Sequence, residues 1–208
     1  MPKSIVNDID QAQLQKIDSL FISIQKQYGT PPNWQRTAGF KTLCQIILEQ
    51  QVSLESARAH FKKLESIVSE FSPEHIVSLS DEEMRNAQIS RQKASYLKNL
   101  SNAILEKTLD LDELKFNSEK EIREKLTAIK GIGNWTTEVY LMFCLQFKDI
   151  MPIGDVAIVN TIKELKGLES QDEILEYTEK WKPYRSLASF YLWHYYLCKR
   201  NRNADSFI

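Results

Sequence analysis

Apolar positions recur at helical spacing along almost the whole chain. Leu, Ile, Lys, Glu and Gln fill segments whose apolar residues repeat with a period near 3.6, and no alternating run bounded by turn residues occurs. The pattern therefore predicts an all-α protein without strands. The predicted helices are 8–28, 38–49, 53–71, 73–79, 81–88, 91–107, 119–128, 134–147, 155–166, 171–180 and 184–202.

Two helix starts have clear capping signals. Ser72 precedes Pro73, which places an N-cap residue ahead of a proline at the first helical position. Ser118 and Glu121 have the spacing of a capping box, so a helix should begin between them.

That helix leads into the stretch LTAIKGIGNWTTEV at 126–139. A helix ending near Ile129, a short turn over 130–133 and a new helix would make a helix-hairpin-helix, with Ile132 as the apolar pin. Glycines permit a tight turn and the close approach of a ligand, and the second helix presents unpaired N–H groups to a phosphate. The hydroxyl of Thr136 or Thr137 can add to such a site. A tight interhelical turn without a ligand is the alternative.

Charge alters this picture only locally. The net charge of −1 argues against a protein that coats nucleic acid through bulk charge. The segment 180–202 nevertheless contains six Lys or Arg residues and no Asp or Glu. It predicts either a phosphate-binding face or a solvated basic helix face.

Compartment and redox class follow from two further features. The N-terminus lacks an apolar signal-peptide core, and no apolar run approaches the roughly 20 residues of a membrane span. We expect an intracellular protein, cytoplasmic if bacterial and nuclear if eukaryotic. The three cysteines, Cys44, Cys144 and Cys198, lie far apart in apolar surroundings and are predicted to be buried thiols.

Several stretches resemble one family. IKGIGNWTTEVYLMFCL followed by MPIGDVAIV resembles the helix-hairpin-helix DNA glycosylase superfamily. CQIILEQQVSLESA, ISRQKASYLKNL and WKPYRSLASFYLWHYY are similar to its DNA-3-methyladenine glycosylase II branch, which acts in alkylation repair. The resemblance implies a compact, two-lobed helical fold, without the N-terminal β domain of some members, and an active site in the cleft between lobes. It would form a single core over 1–208, with the hairpin motif at about 119–147 and a C-terminal helix at about 184–202 packing back on the N-terminal lobe.

The resemblance also implies a reaction type. Members that cut the DNA backbone have a lysine two residues after the second hairpin glycine, where this chain has Trp135. Members with an iron–sulfur cluster have four closely spaced C-terminal cysteines, where this chain has only Cys198. A monofunctional glycosylase that leaves an abasic site, with no cofactor required for the chemistry, is therefore expected.

Asp155 is the implied catalytic residue. Cleavage of an N-glycosidic bond builds positive charge on the sugar, which an ionised carboxylate next to C1′ stabilises. The residues themselves also favour a helix N-cap, because Gly154-Asp155 precedes the apolar-periodic stretch VAIVNTIKEL. The two roles are compatible.

The implied base pocket receives a flipped nucleotide. Trp135 and Trp193 match the family's aromatic positions, Val139 and Val156 stand where some members have tyrosines, and Trp34 could complete the aromatic wall. Core packing is the alternative for Trp193.

The remaining implied contacts are with DNA. Gln51 would be the wedge that fills the gap left by the flipped base, with Gln50 and Ser53 beside it; a polar helix junction is the alternative. Arg185 suits either an ion pair or a phosphate contact. The full predicted DNA-binding set is Gln50, Gln51, Ser53, Lys130, Gly131, Ile132, Gly133, Thr136 and Arg185.

Hairpins of this family often hold Na⁺ or K⁺ with main-chain carbonyls, here those of Thr127, Ile129 and Ile132. The expected partner is double-stranded DNA containing alkylated bases, with no membrane and a monomeric protein. Two alternatives stay open: a glycosylase for uracil, mismatched thymine or oxidised guanine, and a non-catalytic helix-hairpin-helix module that binds damaged DNA.

Overall fold

The structure is a computed structural model that describes residues 4–202. Within this range it contains helices and one 3-10 turn, Leu114–Phe116, and no strand, which confirms the all-α prediction. The helices are α1 (Asp8–Ile17), α2 (Leu20–Tyr28), α3 (Phe40–Glu49), α4 (Leu54–Ser66), α5 (Pro73–Ser78), α6 (Asp81–Asn86), α7 (Arg91–Leu105), α8 (Glu119–Thr127), α9 (Asn134–Phe143), α10 (Val156–Lys166), α11 (Gln171–Glu179) and α12 (Arg185–Lys199).

The prediction of one helix over 8–28 is wrong, because the chain breaks at Asp18. This residue has extended backbone angles, φ −146° and ψ 116°, and ends α1. Its Oδ1 accepts the Leu20 N–H at 3.0 Å, while Oδ2 accepts the Tyr177 hydroxyl at 2.7 Å and the Trp181 Nε1–H at 3.1 Å. The carboxylate is thus fixed by residues distant in sequence, and the helix turns around it.

Other helices match the predictions with shorter ends. Ser72 caps α5 ahead of Pro73, and Ser118 with Glu121 forms the predicted capping box of α8. The predicted helix 134–147 ends at Phe143 as α9. Most starts are therefore accurate because polar side chains set them, whereas the ends fray earlier than the apolar pattern indicates.

The chain divides into two compact units. Of the described residues, the first unit comprises 4–36 and 141–202, and the second comprises Thr37–Tyr140. In the first unit α12 packs against α1, α2 and α10, and α10 also contacts α11. Aromatic side chains fill its core, with Phe21 at 5.1 Å from Trp181 and 5.5 Å from Tyr191, measured between ring centroids.

The second unit is built around α7. Helices α3, α5 and α6 pack against it, and α4 packs on α3. The apolar side chains Leu97 and Leu100 of α7 are fully buried, as are Leu43, Ile46 and Ile47 of α3. This packing holds α3, whose last residue Glu49 leads into the connection to α4.

The structure bears on the predictions about membrane spans and about buried cysteines. No helix within residues 4–202 is both long enough and apolar enough to cross a bilayer. Cys44 and Cys144 are buried free thiols, as predicted, whereas Cys198 is only half-buried.

Candidate functional site

The turn between α8 and α9 has the predicted hairpin geometry. The Ile132 N–H donates to the Ile129 carbonyl at 3.0 Å, and the Ile132 side chain is 3% exposed, which confirms its role as the apolar pin. Gly131 has φ +107°, and a Cβ at this position would lie 2.2 Å from Cγ of Tyr96. Both the left-handed backbone and the aromatic ring beside it therefore require glycine here.

The second glycine of the turn, Gly133, meets neither of these requirements. Gly133 has no left-handed backbone, and a Cβ built on it meets nothing within 4 Å. It is exposed and comes directly before Asn134, the first residue of α9. The N–H groups that open a helix have no partner inside it, so this open space faces the positive end of α9.

Two side-chain amides hold the carbonyls of the turn. Gln50 Nε2 donates to the Gly131 carbonyl and to Thr136 Oγ1, both at 2.9 Å. Asn99 Nδ2 donates to the Lys130 carbonyl at 3.0 Å. Gln50 and Thr136 were predicted to contact DNA; the structure gives both side chains internal partners, and Thr136 is 1% exposed. Their contact with DNA stays a prediction.

Helix α7 supports this region from one face. Lys93, Tyr96 and Asn99 follow one another at intervals of three residues, which places them on the same side of the helix. Lys93 Nζ donates to the carbonyl of Leu48 near the end of α3 at 2.6 Å, and burial lowers the pKa of its ammonium. Sequence reasoning assigned no role to these three residues, although they lie within the stretch ISRQKASYLKNL; only their spacing could have indicated a shared face.

The residues between α3 and α4, 50–53, form a segment that we call the wedge loop. Gln51 is exposed and has φ +56°, in the left-handed region. Ser53 Oγ accepts the Ser56 N–H at 3.2 Å and caps α4. Gln51 is therefore exposed on a short, capped connection, and its role as a wedge stays a prediction.

An ion-pair network joins the two helices of the hairpin. Arg123 of α8 donates to Glu119 on its own helix at 2.8 Å and to Glu138 of α9 at 3.2 Å. The Glu138 side chain is only 9% exposed. Because a buried carboxylate needs its partner, this pair fixes the angle between α8 and α9.

Asp155 caps α10 as predicted. One carboxylate oxygen, Oδ1, accepts the N–H groups of Ala157 at 2.9 Å and Ile158 at 3.0 Å. The residue is half-exposed, and the next one, Val156, is 70% exposed although its side chain is apolar. The helix start therefore orients the carboxylate while the chain around it stays accessible.

The predicted pocket residues differ in exposure. In the first unit Trp34 is fully buried and Trp193 is 3% exposed, with their ring centroids 6.5 Å apart; both contact Phe143. This is the packing alternative for Trp193, and a pocket role for either ring stays a prediction. In the second unit Trp135 is half-buried and Val139 is 3% exposed.

The basic segment 180–202 is largely neutralised within the first unit. Arg185 forms a two-pronged pair with Asp149, at 2.6 and 3.0 Å, and a third bond to Glu179 at 3.0 Å. Further ion pairs join Lys180 to Asp18, Lys182 to Glu179 and Lys199 to Glu164. The structure thus favours the ion-pair interpretation of Arg185; a phosphate contact by this residue stays a prediction.

The predicted cation ligands lie around the turn. The Ile129 carbonyl accepts the Ile132 N–H, but a carbonyl oxygen has a second lone pair that can bind a cation. The two amide-bound carbonyls, those of Lys130 and Gly131, are not among the predicted ligands. A cation held by the carbonyls of Thr127, Ile129 and Ile132 stays a prediction.

Two helices joined by a short turn, with an apolar pin and an open glycine at the start of the second helix, define a helix-hairpin-helix protein. Residues 44–184 match the HhH-GPD superfamily of base excision DNA repair proteins. The chain belongs to this superfamily.

Similar proteins come from bacteria and yeast. DNA-3-methyladenine glycosylase 1 of Schizosaccharomyces pombe is 30% identical over 179 residues, 83% of this chain and 78% of that protein. The solved structure of the same yeast's 3-methyladenine DNA glycosylase Mag1 in complex with abasic DNA superposes with a TM-score of 0.81 at 30% identity, over 88% of this chain and 94% of that chain. YfjP of Bacillus subtilis is 32% identical over 84% of this chain. The chain spans 64% of YfjP and 56% of a second Bacillus subtilis relative.

Proposed function

We propose that this protein is a monofunctional DNA glycosylase that flips alkylated bases, of the 3-methyladenine type, out of double-stranded DNA and releases them by hydrolysis. The product is an abasic site that enters base excision repair. The observation that carries the proposal is the carboxylate of Asp155, oriented by two N–H groups at the exposed start of α10. The named activities of the yeast relative and of the solved yeast structure support it.

The chemistry needs one carboxylate. As the bond between C1′ and the base nitrogen breaks, positive charge develops on the sugar, and Asp155 stabilises that charge or orients the attacking water. The electrons of the broken bond leave with the cationic base, which departs neutral, while the water oxygen bonds to C1′ and releases one proton to Asp155 or to solvent. An alkylated purine already carries positive charge and leaves without a general acid, so the site has no need of a second catalytic group.

DNA binding rests on the hairpin and the wedge loop. The open backbone at Gly133 gives a phosphate access to the N–H groups at the start of α9. The exposed Gln51 fills the space that the flipped nucleotide leaves in the stack. For the flipped base we keep the predicted residues Trp135, Trp193, Val139, Val156 and Trp34, of which Trp135 and Val156 have accessible side chains and the other three are buried within their own units.

The proposal includes two further features. A monovalent cation, Na⁺ or K⁺, is held by the carbonyls of Thr127, Ile129 and Ile132 and adds positive charge beside the phosphate. The protein acts as a monomer inside the compartment that holds DNA.

The test is base release from defined duplexes, with the products separated and identified. Duplexes carrying 3-methyladenine or 7-methylguanine should lose the modified base, while undamaged duplexes should not. Release from uracil-containing or mismatched duplexes alone would assign the other glycosylase function. Binding without release from any duplex would assign the non-catalytic function.

A further inference from the structure

The side chain of Gln50 reaches from the wedge loop to the hairpin. Its Nε2 carries two hydrogens, and one points to the Gly131 carbonyl in the turn while the other points to the Thr136 hydroxyl in the first turn of α9. Only the amide nitrogen of the side chain can donate to a carbonyl, so this orientation is fixed. Gln50 therefore uses its whole donor capacity on one motif.

The backbone of Gln50 belongs to a different element. It ends α3 as the C-cap, with φ −57° and ψ 125°, and the next residue is the exposed Gln51 with φ +56°. The residue whose side chain is anchored on the hairpin therefore directly precedes the left-handed position that presents the wedge. Any shift of the hairpin turn that kept the two hydrogen bonds would move this backbone as well.

The turn has a second support that does not touch the wedge loop. Asn99 on α7 holds the neighbouring carbonyl, that of Lys130, at 3.0 Å. Its hydrogen bond is of the same chemical kind, an amide N–H to a turn carbonyl. Asn99 therefore supplies a matched comparison for the effect of Gln50.

We propose that Gln50 is a positioning residue that couples the wedge to the phosphate-binding turn, so that DNA gripped by the hairpin is met by Gln51 at a fixed place. The inference rests on the proposed function, because it assumes that both elements contact one duplex. Gln50 itself needs no contact with DNA for this role. In the proposed complex, Gln51 fills the gap in the base stack and a phosphate binds beside Gly133.

The test measures coupling between the two contacts through DNA affinity. The Kd for a duplex with one abasic site is determined for wild type, Gln51→Ala, Gly133→Ala and the double variant. With Gln50 present, the combined loss of affinity should differ from the product of the two single losses by at least about threefold. The Gln50→Met substitution keeps the length of the side chain but removes the donors. In that background the loss of affinity in the double variant should equal the product of the losses in Gln51→Ala and Gly133→Ala, which means that the two contacts are no longer coupled.

Two further variants make the result specific. Gln50→Glu has the size of glutamine but cannot donate when ionised, and it should abolish the coupling like Gln50→Met; it also decides the question if the methionine variant does not fold. Asn99→Leu removes an equivalent amide from the turn and should leave the coupling intact. Multiplicative losses in wild type, or coupling that survives in Gln50→Glu, would overturn the proposal.

The same measurements separate this inference from the proposed function. Affinity for an abasic duplex does not depend on base release. A protein that shows coupling but releases no base would overturn the glycosylase function alone. A protein that releases alkylated bases but shows no coupling would overturn the role of Gln50 alone.

Discussion

At the scale of single residues, Asp155 has an observed role as a helix cap and a proposed role in catalysis. Its Oδ1 accepts two N–H groups at the start of α10, which is the work of an N-cap, and the carboxylate charge is what the proposed reaction uses. Asparagine caps helices as well as aspartate does but has no charge. The two roles can therefore be separated by substitution.

Asp155→Asn should keep the stability of the protein and lower the single-turnover rate of base release by about 10²–10³-fold, the usual effect of removing one electrostatic stabiliser. Asp155→Ala should lose the same rate and also about 1 kcal/mol of stability, because the cap is lost. Rates on methylated duplexes and thermal melts of both variants check this. A wild-type rate in Asp155→Asn would exclude the catalytic role.

Trp135 makes a second residue-level prediction, because it stands where lyase members of the family have a lysine. Incubation with an abasic or methylated duplex and borohydride should trap no covalent adduct, and the product strand should break only after alkali or heat. The measurement is a denaturing gel of labelled DNA. A trapped adduct would show that another lysine, for which the exposed Lys130 is the nearest candidate in sequence, forms a Schiff base.

At the scale of elements, the hairpin turn contains two glycines with different physical requirements. Gly131 combines φ +107° with a ring directly against its Cα, whereas Gly133 faces open space. One glycine is needed for folding, and the other leaves room for a ligand. Substitution by alanine should therefore lower stability at position 131 and weaken DNA binding at position 133.

Gly131→Ala should destabilise the protein by about 1–3 kcal/mol or more, since the strained φ and the clash with Tyr96 add. Gly133→Ala should melt within a few degrees of wild type but bind every duplex more weakly, damaged or not, because its methyl group occupies the space for a phosphate. Thermal melts and affinities for an undamaged duplex distinguish the two. Unchanged affinity in a folded Gly133→Ala protein would reduce the hairpin to an interhelical turn.

The sequence predicts elements where local chemistry sets them. The helix starts at Pro73 and Glu119 follow from capping residues within three positions, and Ile132 is apolar in a polar turn. The break at Asp18 was missed because the carboxylate is satisfied by Tyr177 and Trp181, about 160 residues away.

The candidate site shows the same limit. The N-cap of Asp155 was predictable from its neighbours, whereas the contact between Gln50 and the Gly131 carbonyl joins residues 81 positions apart. The different requirements of Gly131 and Gly133 could not be predicted, because the clash at Gly131 arises from Tyr96 on another helix. Periodicity and capping contain no information about such pairs.

At the scale of the whole molecule, the cations of the basic C-terminal segment differ from the lysine of the hairpin turn in whether a carboxylate pairs with them. Of the named cations in the basic C-terminal segment, Lys180, Lys182, Arg185 and Lys199 are paired with carboxylates of the same unit. Lys130, in the hairpin turn, is exposed, and its ammonium makes no ion pair with any residue between 4 and 202. Lys130 is therefore a better candidate for a phosphate contact than the paired cations of the C-terminal segment.

Lys130→Ala should lower the slope of log K against log salt by about one, because one phosphate contact is lost. Lys199→Ala should leave the slope unchanged, since its ammonium is paired with Glu164. Affinities for an undamaged duplex across a salt series measure both. An equal change in the two variants would show that the C-terminal segment is part of the DNA-binding surface.

Stability should depend on pH through Asp18. Burial alone would raise the pKa of this carboxyl, but hydrogen bonds from Tyr177, the Leu20 N–H, Lys180 and Trp181 outweigh it and hold the pKa well below its ordinary value. A carboxyl whose pKa is lowered by folding stabilises the protein fully above its unfolded pKa, about 3.9, and loses that contribution as the pH falls further.

Asp18→Ala should therefore cost on the order of 3–5 kcal/mol at pH 7, because it leaves buried donors without an acceptor. The difference in the free energy of unfolding between wild type and variant should be constant from pH 7 to about 5 and shrink below about 4. Urea unfolding at several pH values measures it. A difference that stays constant through pH 3 would contradict the assignment.

The left-handed backbone of Gln51 sets thermal stability against activity at this position. A glutamine at φ +56° occupies a conformation that glycine or asparagine adopts more easily, so selection for thermal stability alone would replace it. Glutamine at this position is then a trade-off, because the strained backbone lowers stability while the long polar side chain serves the proposed wedge. Laboratory evolution for heat resistance should change position 51 early. The resulting proteins should have a higher Tm and a lower rate of base release.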